Sequence, residues 1–457
     1  MTDPSARHER FATLPGSLAP LGYRNYALYL FGFFVTNIGR WIELTGAVWL
    51  AYELTGSPIL LGLVGLVRAA PAILLSPIAG VVADRVDQRR LLQLTQSTAL
   101  LLSLALGLLI ASGQAELWHL YLQVAVQSAV SSFDAAVRQA LFPRLVPRHL
   151  LTDAVTLHST AARSARFIGP TIGGLAIASF GEAAPFLLNA ASFVPLLFAA
   201  QAIRGVVPRT VVEGSSFRGE LVDGLRVIID APVLRGLFQL ELVNALFSMS
   251  PVMITIIGRE VLRVGPEGLG GLLSAPALGA LLGIAIILTV GQPARQGRFL
   301  VVASVGNAAI FVVFALAMDY AVAFVTLVAI GLTDALIGVT RQNVAQLSAP
   351  PRMRGRVMAN MGTVTRGVSP LAETQAGALS GLLSGPTAVL VAAGALALTA
   401  AWTGRTNPAL WHFVREDRER TPPGGFPPGD GRPGDGPPGD DPSPPASSEA
   451  TGVASGR

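Results

Sequence analysis

Long apolar stretches separated by short polar turns occupy most of the chain. Each stretch has about 20 mostly apolar residues, the length that a helix needs to cross the hydrocarbon core of a bilayer. A helix satisfies its own backbone hydrogen bonds, so it is the form that such a stretch takes in lipid. The pattern predicts twelve membrane spans, at residues 25–51, 58–82, 91–112, 117–141, 152–180, 184–203, 236–258, 267–290, 299–318, 320–343, 357–383 and 386–403.

Three segments lack this pattern and are predicted to lie outside the bilayer. Residues 1–24 contain no short apolar core with a cleavage site, so we predict a cytoplasmic N-terminal segment rather than a signal peptide. Residues 404–457 become rich in proline and glycine and predict a disordered cytoplasmic tail. Residues 204–235 are predicted to be a cytoplasmic linker between two six-span bundles, 25–203 and 236–403.

The linker has an apolar face at helical spacing. This face predicts an amphipathic helix on the inner membrane surface, and it is formed by Phe217, Leu221, Leu225, Ile228 and Ile229.

Arginines mark one end of the predicted bundle. With the N-terminus inside the cell, the short inner loops carry twelve arginines and the outer loops carry two. Basic residues accumulate on the cytoplasmic side of a membrane protein. The sequence therefore predicts a multi-pass protein of the cell membrane with both termini in the cytoplasm.

Composition agrees with a membrane protein and excludes several chemistries. Charged residues make up 13% of the 457 residues, whereas soluble proteins have roughly 25%. The net charge of +5 follows from the distribution of the arginines, so it does not indicate nucleic-acid binding. The chain has no cysteine and no lysine, which excludes cysteine-bound metals, a P-loop and a Schiff-base amine. We expect no metal, no cofactor and a monomer.

The two halves keep traces of a common origin. Polar positions recur in the same order in corresponding spans: Asp134 and Arg138 with Asp334 and Arg341, Arg166 with Arg366, and Asn37 with Asn244. Arg166 and Arg366 each precede a proline by four residues. The recurrence predicts a duplicated six-helix unit, the arrangement in which two bundles rock around a central site.

A motif lies in the turn between the second and third spans. It runs from Gly80 to Arg90 and reads GVVADRVDQRR, with Asp84-Arg85 ahead of the basic pair Arg89-Arg90. This turn resembles the signature loop of the major facilitator superfamily and lies where that superfamily carries it. Asp87 replaces the usual glycine, as in the branch of enterobactin and macrolide exporters. Similarity to that branch extends to Leu21–Tyr26, Tyr52–Ser57 and Arg138–Pro143.

The resemblance covers about residues 20–403 and implies both a fold and a function. The implied fold is an all-α integral membrane protein with twelve transmembrane helices in two pseudo-symmetric six-helix bundles. The implied function is secondary active transport, as a proton-coupled exporter of a small molecule such as a drug, a macrolide-like compound or a siderophore-like metabolite. Its partners would be that substrate, protons and the lipid bilayer. An importer or facilitator of the same fold, a membrane enzyme and a non-transporting receptor stay open as alternatives.

Small residues in two spans predict close helix packing. The fifth span contains Gly169, Pro170, Gly173 and Gly174, which resemble the core of the antiporter motif of the superfamily. Gly279 and Gly283 in the eighth span have the same spacing. We expect these two glycine-lined helices to meet at the interface between the halves.

Polar residues inside the spans are the candidates for a substrate and proton cavity. A charged side chain at the bilayer centre costs at least about 2.5 kcal/mol, so it normally faces a partner or a wet cavity. The candidates are Asn37, Arg40, Glu43, Arg68, Arg163, Arg166, Glu241, Asn244, Arg366 and Glu373. Arg40 and Glu43 are three residues apart on one helical face and predict an ion pair. Glu43 is predicted to carry the coupled proton, with Glu241 and Glu373 as alternatives.

The motif turn predicts a gate at the inner end. Its candidate residues are Gly80, Asp84, Arg85, Arg89, Arg90 and Arg138. Asp84 is expected to pair with Arg138 at the end of the fourth span and to face the start of the eleventh, whose partial positive charge favours a carboxylate.

Overall fold

The computed structural model describes residues 16–203, 225–351 and 353–414, except for the side chains of Asp84 and of residues 363–367. Within these ranges the regular secondary structure is helical, and each of the twelve predicted spans is found as a helix or a pair of helices. The predicted all-α architecture is therefore confirmed. Below, spans are numbered 1 to 12 in chain order, and the ends that face the predicted cytoplasm are called inner ends.

The first half contains spans 1 to 6. Their bounds are Arg24–Thr55, Pro58–Arg85, Gln88–Ala111, Leu117–Leu141, Leu151–Phe180 and, for span 6, Ala184–Ser192 with Val194–Ala202. The second half contains spans 7 to 12. Their bounds are Pro232–Leu246 with Pro251–Ile256 for span 7, then Pro266–Val290, Gln296–Ala315, Tyr320–Ser348, Arg354–Leu382 and Gly385–Thr406. Span 7 continues into a π-helical turn, Ile257–Val261.

Eight of the described helical segments are apolar enough and long enough to cross a membrane. Spans 1, 4, 5 and 11 fall outside that group. These four spans carry much of the predicted polar set, and their charged members are Arg40, Glu43, Arg138, Arg163, Arg166, Arg366 and Glu373. The helices that look least like membrane spans in the sequence are therefore the ones that supply most of the charged side chains of the interior.

Local sequence explains where span 3 begins. Asp87 is the N-cap of span 3, because its side chain accepts hydrogen bonds from the backbone amides of Arg89 and Arg90 at 2.9 and 3.4 Å. Only Val86 and Asp87 separate spans 2 and 3, so most of the motif lies in helix. Asp87 thus has a capping role at the position where the resemblance expects glycine.

The two halves meet through spans 2 and 11 and through spans 5 and 8. A Cβ atom added at Gly62 would lie 2.7 Å from the Cα of Gly377, and one at Gly174 would lie 2.9 Å from the Cα of Gly270. Such distances are too short for real side chains, so glycine is required for this approach. All four glycines lie in the outer halves of their spans, so the molecule is closed at its outer end.

The predicted pairing of glycines between spans 5 and 8 was only partly right. Added Cβ atoms at Gly169 and Gly173 would collide with span 1, which belongs to the same half. Those at Gly279 and Gly283 would collide with span 10, also within one half. Of the six residues of the predicted packing motifs, Gly174 is the glycine placed between the halves. Gly173 and Gly174 are adjacent in sequence, so they lie on different faces of span 5 and contact different helices.

At the inner end, spans 2 and 11 make no such glycine contact within the described residues. A Cβ atom at Gly80 in span 2, or at Gly355 in span 11, would meet no described atom within 4 Å. Ile78 and Val81 in span 2 are about half exposed. The close glycine contacts between spans 2 and 11 and between spans 5 and 8 are therefore found towards the outer end.

The linker and the tail are described only in part. Phe217 and Leu221 of the predicted amphipathic face lie outside the described residues, whereas residues 225–230 are helical. Ile228 is buried in an apolar cluster with Leu234 and Leu237, and Ile229 is 51% exposed. The predicted boundary of the tail at residue 404 was too early.

The helix of span 12 continues to Thr406 and is followed by a short helix, Pro408–Trp411. Leu410 in this helix is fully buried, and the backbone amide of Gly297 donates to the carbonyl oxygen of Phe413. These contacts hold the chain against spans 7 and 9 because the turn still has apolar residues to bury. Residues 415–457, which form the rest of the predicted tail, lie outside the described residues.

Orientation can be tested with single cysteines, because the chain has none. We expect Gln114→Cys, at the exposed turn between spans 3 and 4, to react with a membrane-impermeant maleimide on intact cells. His149→Cys, exposed between spans 4 and 5, should react only after the cells are permeabilised. Labelling is measured on a denaturing gel. Equal reaction at both positions in intact cells would contradict the predicted topology.

Closure at the outer end can be tested at Gly62. In Gly62→Ala the new methyl group would collide with Gly377, so we expect the outer ends of spans 2 and 11 to separate. Spin labels at Gln114 and Leu383 should report a longer mean distance by double electron–electron resonance than in the parent. Gly338→Ala is the matched control, because a Cβ there meets no atom within 4 Å. An unchanged distance in Gly62→Ala would show that the glycine contact does not set closure.

Candidate functional site

An ion-pair cluster lies inside the first half. Both Arg40 of span 1 and Arg138 of span 4 contact the same carboxylate oxygen of Asp134, at 2.7 and 2.8 Å. The amide nitrogen of Gln96 donates to the second oxygen of Asp134 at 2.6 Å. The Asp134 side chain is 1% exposed, so each charge depends on the others for compensation. This cluster joins spans 1, 3 and 4.

The predicted ion pair between Arg40 and Glu43 was wrong. Arg40 reaches across to Asp134, because span 4 offers a carboxylate at the level of the arginine, and Glu43 points to other helices. The Glu43 carboxylate accepts hydrogen bonds from Ser103 of span 3, from Gln123 of span 4 at 2.8 Å, and from Asn189 of span 6. Glu43 is 8% exposed. Neutral donors on three helices therefore surround it, and it links four spans of the first half.

A further ion pair joins the halves near mid-membrane. Arg68 of span 2 contacts Glu373 of span 11. This pair confirms the expectation that some membrane arginines pair between helices. It lies next to the glycine contact at Gly65, where an added Cβ atom would meet the Cβ of Glu373 at 2.5 Å. The pair therefore belongs to the closed interface between spans 2 and 11.

The second half has its own polar group. Arg341 of span 10 pairs with Glu241 of span 7. Asp334, two turns before Arg341, accepts a hydrogen bond from Asn307 of span 9 at 2.9 Å. Asp334 has no ion pair among the described residues, although Arg341 and Arg166 both attract it electrostatically. A small cavity of about 20 Å³ adjoins this group, and its polar lining comes from Asn244, Ser304, Asn307, Arg341 and Thr399.

Arg166 faces a second cavity, which lies between the halves. This cavity has a volume of about 20 Å³, room for about one water molecule, and is lined by residues of spans 1, 5, 7 and 8. The Arg166 guanidinium lies over the ring of Trp41 at 5.0 Å, and its side chain is exposed. Within the described part of the chain Arg166 has no hydrogen bond or ion pair. Arg163, one turn earlier on span 5, is also exposed. Arg166 therefore presents unused donors next to an aromatic ring.

A latch of charged and aromatic residues closes the outer end. Arg259, in the π-helical turn of span 7, pairs with Glu53 of span 1 at 2.6 Å and lies 4.1 Å from the ring centroid of Trp49. The hydroxyl of Tyr52 donates to Glu260 at 3.2 Å. Single π-helical turns are frequent at functional sites. The latch joins the two halves on the side where the glycines meet.

Other predicted site residues have simpler surroundings. Asn37 donates to the carbonyl oxygen of Phe33 in its own helix at 3.1 Å. Arg85 is exposed at the end of span 2, Arg89 donates to the carbonyl oxygen of Gln201, and Arg90 contacts Asp87 at 3.7 Å. The side chain of Arg366 lies outside the described residues.

The predicted pairing of Asp84 with Arg138 stays a prediction, because the side chain of Asp84 lies outside the described residues. Arg138 itself is buried, pairs with Asp134, and lies 5.2 Å from the ring centroid of Phe33. Arg138 is therefore a core residue of the first half rather than a surface residue of the gate.

Sequence reasoning missed several members of these groups. Asp134 and Asp334 were used as markers of the repeat and not as candidate acids. The repeat was itself the signal, because a carboxylate kept at the same place in both halves faces the interior in both. The neutral residues around Glu43 gave no signal, since Ser103, Gln123 and Asn189 are unremarkable polar positions in apolar helices.

Comparison with known proteins is consistent with this architecture. The family described as "Transmembrane secretion effector" matches residues 15–417. The multidrug efflux pump Tap of Mycolicibacterium fortuitum is 24% identical over 362 residues, which are 77% of this chain and 88% of that protein. The enterobactin exporter EntS of Shigella boydii is 24% identical over 313 residues, 68% of this chain and 72% of that protein. Two relatives of higher identity match over only 61% and 40% of their own lengths.

Solved structures share the fold. A bacterial homologue of the iron transporter ferroportin, described in an inward-facing state, superimposes with a TM-score of 0.64 at 18% identity. The match covers 84% of this chain and 98% of that one. This likeness establishes the arrangement of the helices.

The Asp134 cluster predicts a stability effect. Asp134→Asn removes the negative charge between Arg40 and Arg138 and leaves the buried Arg138 and the partly exposed Arg40 without it, so we expect a loss of about 3–5 kcal/mol in folding stability. The melting temperature in detergent, measured by fluorescence-detected size exclusion, should fall clearly. Asp87→Asn is the control, because Asp87 is about half exposed and asparagine also caps helices. Equal melting temperatures for the two variants would mean that the cluster contributes nothing to stability.

Proposed function

The chain belongs to the transmembrane secretion effector family of major facilitator transporters, and from this premise we propose that it exports a small molecule in exchange for protons. Membership makes it a membrane transporter; the direction, the coupling ion and the substrate are our proposal. Export is favoured by the relatives Tap and EntS, whose names describe efflux and export.

The observation that carries the proposal is the guanidinium of Arg166, which has no hydrogen bond or ion pair among the described residues. It lies over Trp41 and lines a cavity to which both halves contribute. A planar guanidinium held on an aromatic face is oriented for carboxylate, phenolate or carbonyl oxygens. The cavity wall adds Leu44, Met249, Ile254 and Leu273, which suit an apolar body. We propose that the substrate is an oxygen-rich molecule with an apolar or aromatic part. A drug, a macrolide-like compound and a siderophore-like metabolite all fit this description.

For the proton we propose Asp334 ahead of Glu43. Glu241 and Glu373 are bound by arginines, and Glu43 is enclosed by neutral donors. Asp334 has one hydrogen bond, from Asn307, and no ion pair among the described residues. An ionised Asp334 can accept a hydrogen bond from a hydroxyl or amino group of the substrate. A proton at the same oxygen removes that bond, so substrate and proton would exclude one another, as antiport requires.

The outer latch is the contact that must break for the outer end to open during alternating access. In the described conformation Arg259 and Glu53 join the halves at the outer end, and added Cβ atoms at Gly80 and Gly355, in the inner parts of spans 2 and 11, would meet no described atom within 4 Å. Substrate would enter from the cytoplasm, the latch would separate as the inner ends close, and a proton from outside would displace the substrate. We propose in addition that the protein works in the cell membrane, as a monomer, with both termini in the cytoplasm.

An importer or facilitator would use the same helices, so direction needs an experiment. Secretion by a deletion strain, and its sensitivity to a panel of antibiotics, would first identify a substrate. The purified protein is then reconstituted in vesicles loaded with a pH dye. An antiporter moves substrate and protons in opposite directions across the membrane, whereas a symporter moves both in the same direction.

Coupling predicts distinct phenotypes for three variants in this vesicle assay. Asp334→Asn should keep exchange of substrate at equal pH. The stimulation of its transport by an imposed pH gradient should be at least tenfold smaller than in the parent, because asparagine cannot take up a proton. Arg166→Gln should weaken substrate binding at every pH. Glu43→Gln is the competing test: if only this variant loses the stimulation, Glu43 and not Asp334 carries the proton. Full stimulation in all the variants would leave the proposed coupling without support.

A further inference from the structure

Two grooves open on the outside of the bundle, towards the lipid. The first groove lies between spans 1 and 6, has a volume of about 550 Å³, and is lined by Arg24, Leu28, Phe31, Pro195, Phe198, Ala199, Gln201 and Ala202. A water molecule takes up about 30 Å³ of liquid, so the first groove is far larger than an ion or water site. Phe31 and Phe198 are 61% and 65% exposed. In a membrane protein these faces contact hydrocarbon.

The first groove is polar at one end and apolar along the rest. Arg24 begins span 1 at the inner end, and Phe31 lies about 10 Å deeper at 1.5 Å per residue. Span 6 runs in the opposite direction, so Gln201 near its last residue lies at the inner end and Phe198 and Pro195 lie deeper. The groove therefore has the polarity of an amphiphile, with the head at the membrane surface.

Positive charge gathers at the polar end. Arg24 is exposed and has no partner within the described residues. Arg89 of span 3 donates a hydrogen bond to the carbonyl oxygen of Gln201, which brings a second guanidinium to this end. Asp87, the nearby described acid, is engaged by Arg90 and by the backbone amides of Arg89 and Arg90. Basic pockets between membrane helices on the cytoplasmic side suit anionic headgroups.

The pseudo-symmetry of the fold provides an internal comparison. The second groove lies between spans 7 and 12, the counterparts of spans 1 and 6, and has a volume of about 420 Å³. Its lining is Gln239, Leu242, Val243, Leu398, Thr399 and Trp402, none of which is charged. Exposed Arg235 and Arg405 lie about one turn from Gln239 and Trp402 towards the inner end. The two grooves therefore differ in that an arginine belongs to the wall of the first groove and none belongs to the wall of the second.

We propose that the first groove binds an anionic phospholipid of the inner leaflet. Its phosphate contacts Arg24 and Arg89, and one acyl chain lies along Leu28, Phe31 and Phe198. A zwitterionic lipid brings an ammonium group to the two arginines and binds less tightly. This inference does not depend on the substrate or on the coupling ion.

The test uses the purified full chain and native mass spectrometry. Dioleoyl phosphatidylglycerol is added in one series and dioleoyl phosphatidylethanolamine in the other. We expect the parent to retain phosphatidylglycerol at least fivefold better. Arg24→Gln should abolish this preference, and Ala202→Trp should lower retention by filling the groove while leaving the charge in place. The controls are Arg295→Gln, an exposed arginine at the inner end of the second half, and Leu398→Trp in the second groove; both should behave as the parent.

Three results would overturn the proposal. The first is equal retention of the two lipids by the parent. The second is an unchanged preference in both Arg24→Gln and Ala202→Trp. The third is occupation of the groove by the chain itself, shown by a cross-link from Ala202→Cys to residues 1–15 or 204–224 that added phosphatidylglycerol does not reduce.

Discussion

Compensation of charge inside a low-dielectric bundle is the constraint on which the rest of this structure depends. Each buried charge is stable only where another helix offers an opposite charge or hydrogen-bond donors. Asp134 joins spans 1 and 4 through two arginines, and Arg68 joins span 2 to Glu373 of span 11. These partners set how the helices rotate about their axes. Arg166 has no hydrogen bond or ion pair among the described residues, and Asp334 has one hydrogen bond there, from Asn307, and no ion pair. These two groups stand out as available to a solute or a proton.

The distribution of these charges differs between the halves. In the first half, Arg40 and Arg138 share the carboxylate of Asp134, whereas Asp334 in the second half has no ion pair among the described residues. The two halves therefore share corresponding helices and differ in their balance of charge. The cavity between them has the guanidinium of Arg166 in its wall, beside apolar side chains. Molecules that carry both acceptor oxygens and an apolar part fit it better than purely apolar ones.

Hydropathy and the repeat were enough to predict the helices, because a span must be apolar over a fixed length and each span is nearly continuous in sequence. Partners of buried side chains were harder to predict. Helical spacing suggested that Arg40 would bind Glu43, but the rotation of span 1 placed Arg40 against span 4 and Glu43 among spans 3, 4 and 6. Spacing along one helix carries no information about the helix that packs against it, so Asp134 and Asn189 could not be found in this way.

The outer end is sealed where Gly62 meets Gly377 and Gly174 meets Gly270. At these two contacts backbone packs against backbone, so forming them fixes no side-chain rotamer. Closing such a contact costs little side-chain entropy, since glycine has none to lose. The seal can therefore form and break many times with a small free-energy difference between its states. A transporter that must visit both conformations in every turnover gains speed from a contact of this kind, whereas interlocked large side chains would hold it in one of them.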